Sequence, residues 1–265
     1  MTAEGAYLAG RHAVVTGGGR GIGAAVADEL ARLGALLTLM GRDRKRLEAR
    51  VLDLQARSGV PAAAVPCDVA DEESVVSAFA AARERFGEVH VLVNNAGQAD
   101  ASAFSETTLE SWDRMLAVNL TGVFLCTREV LPAMIEARWG RVVNVASTAG
   151  LKGYPKTAAY CAAKHGVVGL TRSLALETAK LGITVNAVCP GYTDTEMADA
   201  AVGNLVRALG KSPDEAREML ARTMPRGTLV RPGEVASVVA WLCSPGAAAV
   251  TGQAVVVAGG EVMAG

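Results

Sequence analysis

The stretch His12-Ala-Val-Val-Thr-Gly-Gly-Gly-Arg-Gly-Ile-Gly23, continued by Ala24-Ala-Val-Ala-Asp-Glu-Leu-Ala-Arg-Leu33 and Gly34, decides the fold of this chain. Residues 13–16 are short and mostly apolar, as a buried strand should be. From Ile22 the apolar positions Val26, Leu30 and Leu33 recur at helical spacing, and Gly34 suits the C-terminal cap. Between strand and helix lies Thr16-Gly17-x-x-x-Gly21-x-Gly23, one spacing away from Gly-x-Gly-x-x-Gly. Glycines there let the backbone approach a pyrophosphate whose charge sits at the helix N-terminus. Taken alone, the cluster could equally mark a tight turn. Residues 36–40, Leu-Leu-Thr-Leu-Met, supply a second strand, and the resulting β–α–β unit favours the dinucleotide reading.

The pattern continues outward. Residues 43–58 read as a charged surface helix and 62–67 as a third strand. Asp71 caps a helix running to Phe86, with Glu72 and Glu73 in its first turn. Residues 89–93 form an apolar strand ending at Asn94-Asn95. Thr107-x-x-Glu110 reads as a capping box opening a long helix through Trp112, Met115, Val118 and Leu125, which Pro132 should kink or restart. Strands are expected at 141–146, 183–188 and 254–257, with a helix over 157–180 ended by Gly182. The alternation predicts one α/β domain over 1–265, a doubly wound (Rossmann) parallel seven-stranded sheet with helices on both faces. Residues 195–225 carry two apparent helices, the second opened by Ser212-Pro-Asp-Glu215, and suit a mobile substrate lid. Met197, Met219 and Met224 would give that lid an adaptable apolar surface, although ordinary packing explains them as well.

Hydrophobic residues make up 51% of the 265 and aromatics only 4%, so Val, Ala and Leu must build the core. A net charge of −1 gives no electrostatic reason to expect nucleic acid or an anionic membrane as partner. Residues 1–10 lack a basic segment followed by an apolar one, and no uninterrupted apolar run reaches about 18 residues, so neither a signal peptide nor a span is read. The five cysteines (67, 126, 161, 189, 243) lack metal-like spacing and read as buried reduced thiols of a cytoplasmic protein. His12, His90 and His165 have no partner at ligand spacing, so no metal is expected.

In Tyr160-x-x-x-Lys164 the phenol and ammonium share one helix face, one turn apart. A free tyrosine, with a pKa of about 10, is a poor proton donor or acceptor at neutral pH. A fixed cation beside it favours the phenolate and moves it toward general acid/base work. Alone, the pair could be a surface tyrosine packed on a lysine stem. It accompanies Ser147 at the end of the fifth strand, and every chemical motif falls at or just past a strand's C-terminal end, where open α/β sheets bind ligands.

Thr16-Gly-Gly-Gly-Arg-Gly-Ile-Gly23, Asn94-Asn-Ala-Gly97, Asn119, Ser147, Tyr160-x-x-x-Lys164 and Pro190-Gly191 stand in the order of the short-chain dehydrogenase/reductase family, which the chain resembles over roughly residues 8–260. The resemblance implies an oxidoreductase that moves a hydride between nicotinamide and a carbonyl or secondary alcohol. In it Tyr160 is the proton donor, Ser147 bonds the same oxygen, Lys164 tunes the tyrosine and holds the ribose, and Asn119 is the fourth member. The expected cofactor contacts are Gly17, Arg20, Gly21, Ile22, Gly23, Arg42, Asp68, Val69, Asn95, Ala96, Gly97, Tyr160, Lys164, Pro190, Gly191, Thr193 and Thr195. Asn94 is expected to be partly structural. NAD sites usually place a carboxylate about 20 residues beyond the glycines. Here Gly41-Arg42 ends the second strand and Arg20 sits in the loop, which suits the 2′-phosphate of NADP; NAD is the lesser expectation. Arg44, Lys45 and Arg46 read as a solvated helix start.

Residues 182–191 and 244–251 resemble bacterial 3-oxoacyl thioester reductases and aromatic-polyketide ketoreductases, which makes a β-ketoacyl thioester the first substrate expectation. A free alicyclic or aryl ketone, or its alcohol, is the alternative. Residues 98–104 and 149–154 should form the remaining walls, and Lys152, Lys156, Arg207 and Lys211 could meet a carrier's phosphate. A non-catalytic dinucleotide-sensing regulator is disfavoured by the retained tyrosine and lysine. The resemblance also implies a homotetramer built on the helices around 112–131 and 157–180 and on the last strand.

Overall fold

In the computed structural model, which describes residues 5–263, all seven expected strands enter one sheet. The strands are β1 (His12–Thr16), β2 (Leu36–Gly41), β3 (Ala62–Pro66), β4 (Val91–Asn94), β5 (Gly140–Val145), β6 (Ile183–Pro190) and β7 (Ala254–Val257). They pair in parallel in the order β3-β2-β1-β4-β5-β6-β7. The expected domain of 1–265 and the N-terminal stretch 1–10 extend outside the described residues. Strand order reverses between β1 and β4, which opens a crevice at their C-terminal ends.

Strand alternation sorts the side chains into two cores. Val15, Val93 and Val143 face α1 (Gly21–Arg32), α2 (Arg44–Ser58) and α9 (Pro232–Leu242). Val14, Leu92 and Val142 face the other layer, with Phe79 of α3 (Glu72–Phe86) and Leu125, Val130 and Met134 of α5 (Gly122–Ala137). Each fully buried aliphatic or aromatic side chain contributes about 1.5–3 kcal/mol. Burial on both faces explains why β1, β4, β5 and β6 read as apolar runs rather than alternating ones. Asn94 Nδ2 donates to Thr127 Oγ1 (3.0 Å) and Asn144 Oδ1 (2.9 Å), and Asn144 Nδ2 donates to Thr171 Oγ1 (2.9 Å). That buried chain clamps β4 and β5 to α5 and α6 (Ala158–Thr178), so the Asn94 side chain serves the scaffold.

Caps follow the chemistry of the chain where it is local. Asp71 accepts from Ser74 N at 2.7 Å, and Ser212 and Glu215 close the expected capping box of α8 (Pro213–Ala221). The box expected at Thr107 is displaced: Thr108 caps α4 (Leu109–Leu116) through Ser111 N, while Thr107 Oγ1 donates to Ala103 O. Pro132 does not interrupt α5 as expected. Both Pro132 and Arg128 are exposed, so water can serve the carbonyl that proline leaves without a donor. The irregularity comes earlier, in a π-helical turn over Ala117–Thr121. The run Leu109–Ala137 is long and apolar enough to cross a membrane by length and composition, at mean hydropathy 1.3. Here its buried positions Leu125, Val130 and Met134 pack on the sheet.

Candidate active site

The glycine loop is a cradle braced from behind. Thr16 Oγ1 accepts from Asn95 N and Ala96 N, both at 3.0 Å. The Asn95 carboxamide donates to Thr16 O (2.9 Å) and Gly17 O (3.2 Å), so Asn95 holds the loop with its side chain. Gly17 has φ +64°, and a Cβ at Gly23 would lie 2.3 Å from the Gly17 carbonyl oxygen. Side chains at these two positions would collide with the Asn95 carboxamide and with the backbone of the loop and of Ala96, so both glycines are needed for the loop to close onto α1 and the end of β4. Gly21 and Gly23 begin α1, whose N-cap Arg20 makes no side-chain cap, and Ile22 packs against the core. The first-turn amides thus have no side-chain competitor for an anion.

Other expected contacts ring the crevice. Asp68 accepts from Ala70 N at 3.1 Å, leaving the cap of α3 to Asp71, and Val69 is buried beside Gly122. Gly191 N donates to Val257 O at 3.1 Å. Thr193 Oγ1 donates to Gly191 O (3.0 Å) and Thr195 Oγ1 to Thr193 O (3.2 Å). Both hydroxyls donate to main chain and shape the turn over residues 190–195. Thr195 then opens α7 (Glu196–Leu209).

Tyr160, Lys164, Ser147 and Asn119 converge where β5, α6 and the π-turn meet. Lys164 is 4% exposed, and its ammonium donates to Val145 O at 2.9 Å while lying 5.7 Å from the centre of the Tyr160 ring. As the spacing predicts, Lys164 stands beside the Tyr160 ring. The ammonium is turned to a carbonyl and over the ring, and burial pushes the phenol up to about 12 against a smaller downward pull from Ser147. Burial also pushes Lys164 down to about 8. Ser147 Oγ accepts from Ala149 N at 3.1 Å, a bond that leaves its own proton available. Asn119 is fully buried; its amide donates to Gln98 O (2.9 Å) and Met115 O (3.0 Å). The site can therefore offer a protonated phenol and a hydroxyl donor to one oxygen atom.

Several residues at the site lie outside the sequence expectations. Glu261, whose side chain is 2% exposed, accepts from the Tyr154 hydroxyl at 2.6 Å and lies 3.2 Å from Lys152 Nζ. Tyr154 also meets Thr148 Oγ1 at 2.7 Å, so the C-terminal segment pins the 148–154 wall next to Ser147. Lys152, expected to meet a carrier's phosphate, is paired with this carboxylate. At the other end, Arg20 and Arg46 both pair with Glu196, whereas Arg42 stands exposed outside that cluster. Arg46 thus leaves the merely solvated role expected of it. In the 195–225 segment Arg217 pairs with Asp194 and with Asp199 (2.9 Å), tying α8 to α7, and Met224 is buried in the main core rather than on a lid surface.

The remaining polar candidates are structural. His12 is buried with ring nitrogens 2.8 Å from Gly87 O and 2.9 Å from Thr38 Oγ1. Cys67, Cys126, Cys189 and Cys243 are buried, and the half-buried Cys161 meets Thr157 Oγ1 at 3.3 Å. Among the described residues no group of three His, Cys, Asp or Glu side chains is placed to hold a metal ion.

The short chain dehydrogenase family model matches residues 11–204. A protein named "Granaticin polyketide synthase putative ketoacyl reductase 1", from Streptomyces violaceoruber, is 44% identical over 250 residues, covering 94% of this chain and 92% of the relative. A 3-oxoacyl-[acyl-carrier-protein] reductase of Aquifex aeolicus is 36% identical over 253 residues, covering 96% and 98%. A crystal structure of an actinorhodin polyketide ketoreductase variant with NADPH superposes with TM-score 0.92 at 43% identity, over 95% of this chain and 97% of that one.

Proposed function

The chain belongs to the short-chain dehydrogenase family, and from that premise we propose that it reduces a 3-oxoacyl (β-ketoacyl) thioester to the 3-hydroxyacyl thioester with NADPH. The observation that carries the reading is the meeting of Tyr160, Ser147 and Lys164 at the end of β5, where the Lys164 ammonium lies 5.7 Å from the centre of the phenol ring and donates to Val145 O at 2.9 Å. Tyr160, protonated at neutral pH as phenols are, can give that proton to a developing alkoxide. The relatives named for ketoacyl reduction, and the structural neighbour containing NADPH, support the same substrate class and cofactor.

When bound, the nicotinamide supplies the hydride to the carbonyl carbon. Tyr160 gives its proton to the carbonyl oxygen as negative charge develops there. Ser147 donates a hydrogen bond to the same oxygen, a contribution of about 2.7–4 kcal/mol for a well-aimed donor. Lys164, cationic below about 8, steadies the phenolate left behind. Gly17, Gly21 and Gly23 would take the pyrophosphate, with Arg20 and Arg42 directed at the 2′-phosphate.

The segment 195–225 acts as the lid, with Met197 and Met219 partly exposed on it. Lys156 and Arg207 remain exposed for a carrier phosphate. Self-association into a tetramer is supported by Phe124 on α5 (46% exposed) and Leu176 on α6 (84% exposed), and by the half-buried edge strand β7. Buried free thiols are consistent with a cytoplasmic setting.

The test is a panel of short β-ketoacyl thioesters and free alicyclic or aryl ketones, each with NADPH. The thioesters should give the higher kcat/KM by about tenfold or more, equivalent to about 1.4 kcal/mol of transition-state binding. A faster free ketone would transfer the assignment to that class.

A further inference from the structure

We propose that Glu196, the first residue of α7, is an internal counter-anion for the 2′-phosphate subsite. On this account, only a nucleotide bearing that phosphate releases the lid helix from the cofactor loop. The inference rests on the NADPH reading above. Three separate elements meet here. Arg20 belongs to the glycine loop, Arg46 to the first turn of α2, and Glu196 to a helix far along the chain. Both guanidinium groups pair with the one carboxylate, Arg46 Nη1 at 3.1 Å. The Arg46 stem lies against the loop, since a Cβ at Gly19 would stand 3.4 Å from Arg46 Cγ. The lid is seated there too, because a Cβ at Gly21 would stand 3.1 Å from Thr195 Cγ2.

Charge decides who wins the arginines. Two guanidinium groups against one carboxylate leave a net positive cluster, and Asp43, 3.8 Å from Arg46, is committed to capping α2. A ribose 2′-phosphate brings a charge of about −1.5 to −2 and three acceptor oxygens, more than Glu196 supplies. A ribose 2′-hydroxyl brings no charge and cannot displace it. The side chains of Arg20, Arg46 and Glu196 are 60%, 43% and 55% exposed, so their pairs are weak and exchangeable. Glu196 therefore opposes the phosphate in the free protein and, once displaced, unties α7 from the loop. It is a positioning residue that sets cofactor selectivity and reports cofactor identity to the lid.

The probes are adenosine 2′,5′-bisphosphate (2′,5′-ADP) and 5′-AMP, measured by calorimetry on the full chain and on Glu196→Gln. The variant should bind 2′,5′-ADP about three- to tenfold more tightly, with 5′-AMP unchanged, as loss of two exposed ion pairs implies. Hydrogen exchange at 196–202 should rise when 2′,5′-ADP, but not 5′-AMP, is added to the wild type, and should already be fast in the variant. A second variant, Arg46→Met, should weaken 2′,5′-ADP alone and free the same amides. If the wild type prefers 2′,5′-ADP while Glu196→Gln binds it no better, the role of Glu196 is overturned and the cofactor reading survives. A wild type indifferent between the two probes overturns both.

Discussion

The Lys164 ammonium donates to the Val145 carbonyl at 2.9 Å and lies over the Tyr160 ring, 5.7 Å from its centre. The cation thus sits against the face of the phenol and below the strand end, in a place where burial disfavours both charged forms. Tyr160 stays protonated and Lys164 is easier to deprotonate than a surface lysine.

The buried lysine makes stability rise with pH over a defined window. Folding lowers its pKa to about 8 from the ordinary 10.5, so between those values the unfolded chain binds more protons than the native one. Native stability from this group therefore increases from about pH 8 to pH 10.5, and the penalty for burying the charge is fully present below about 8. Thermal melts of wild type and Lys164→Met across that range should show the difference, wild type minus variant, climbing with pH. A flat difference contradicts the burial argument. Tyr160 titrates in both proteins, so its own contribution largely cancels.

Tyr154→Phe should destabilise the protein by about 1.5–3 kcal/mol in chemical denaturation, because it removes a hydrogen bond to a charged group. The Glu261 side chain is 2% exposed, and its Oε2 already has no hydrogen-bond partner. Indifference to the substitution would mean that water replaces the Tyr154 hydroxyl at Glu261 in solution.

Arg42→Ala should weaken NADPH several-fold more than NADH, since Arg42 follows the end of β2, is exposed there, and can meet only the cofactor that carries a 2′-phosphate with a charge-assisted bond. Fluorescence titration with both nucleotides decides this. Equal losses would leave phosphate selection to Arg20 and Arg46.

Light scattering at micromolar concentration should give a tetramer of the 27.2 kDa chain. A stable monomer would leave Leu176 and Phe124 in water and reject the assembly. A dimer would retain only the pairing of α5 and α6.

The β1–α1–β2 unit was legible because its signals are local: an apolar run, glycines where Cβ atoms cannot fit, and apolar residues at helical spacing. The caps at Asp71 and Ser212 were legible for the same reason. The π-turn around Asn119 was not, since side-chain periodicity carries no record of which carbonyl each amide chooses. Pro132 misled because its effect depends on exposure, which the residue type does not reveal. The spacing of Tyr160 and Lys164 predicted proximity and could not show that the ammonium turns to Val145. Contacts such as Tyr154–Glu261 and Arg46–Glu196 join positions 107 and 150 residues apart, and neither partner belongs to a motif.

The central claim is that Tyr160 supplies the proton in an NADPH-dependent carbonyl reduction, and the most direct measurement is turnover of a β-ketoacyl thioester by Tyr160→Phe. Following NADPH consumption, kcat should fall by about 10²–10⁴, the usual contribution of a positioned general acid, while NADPH affinity stays within about threefold. Retention of more than about a tenth of the wild-type kcat, with the cofactor still bound, would contradict the account.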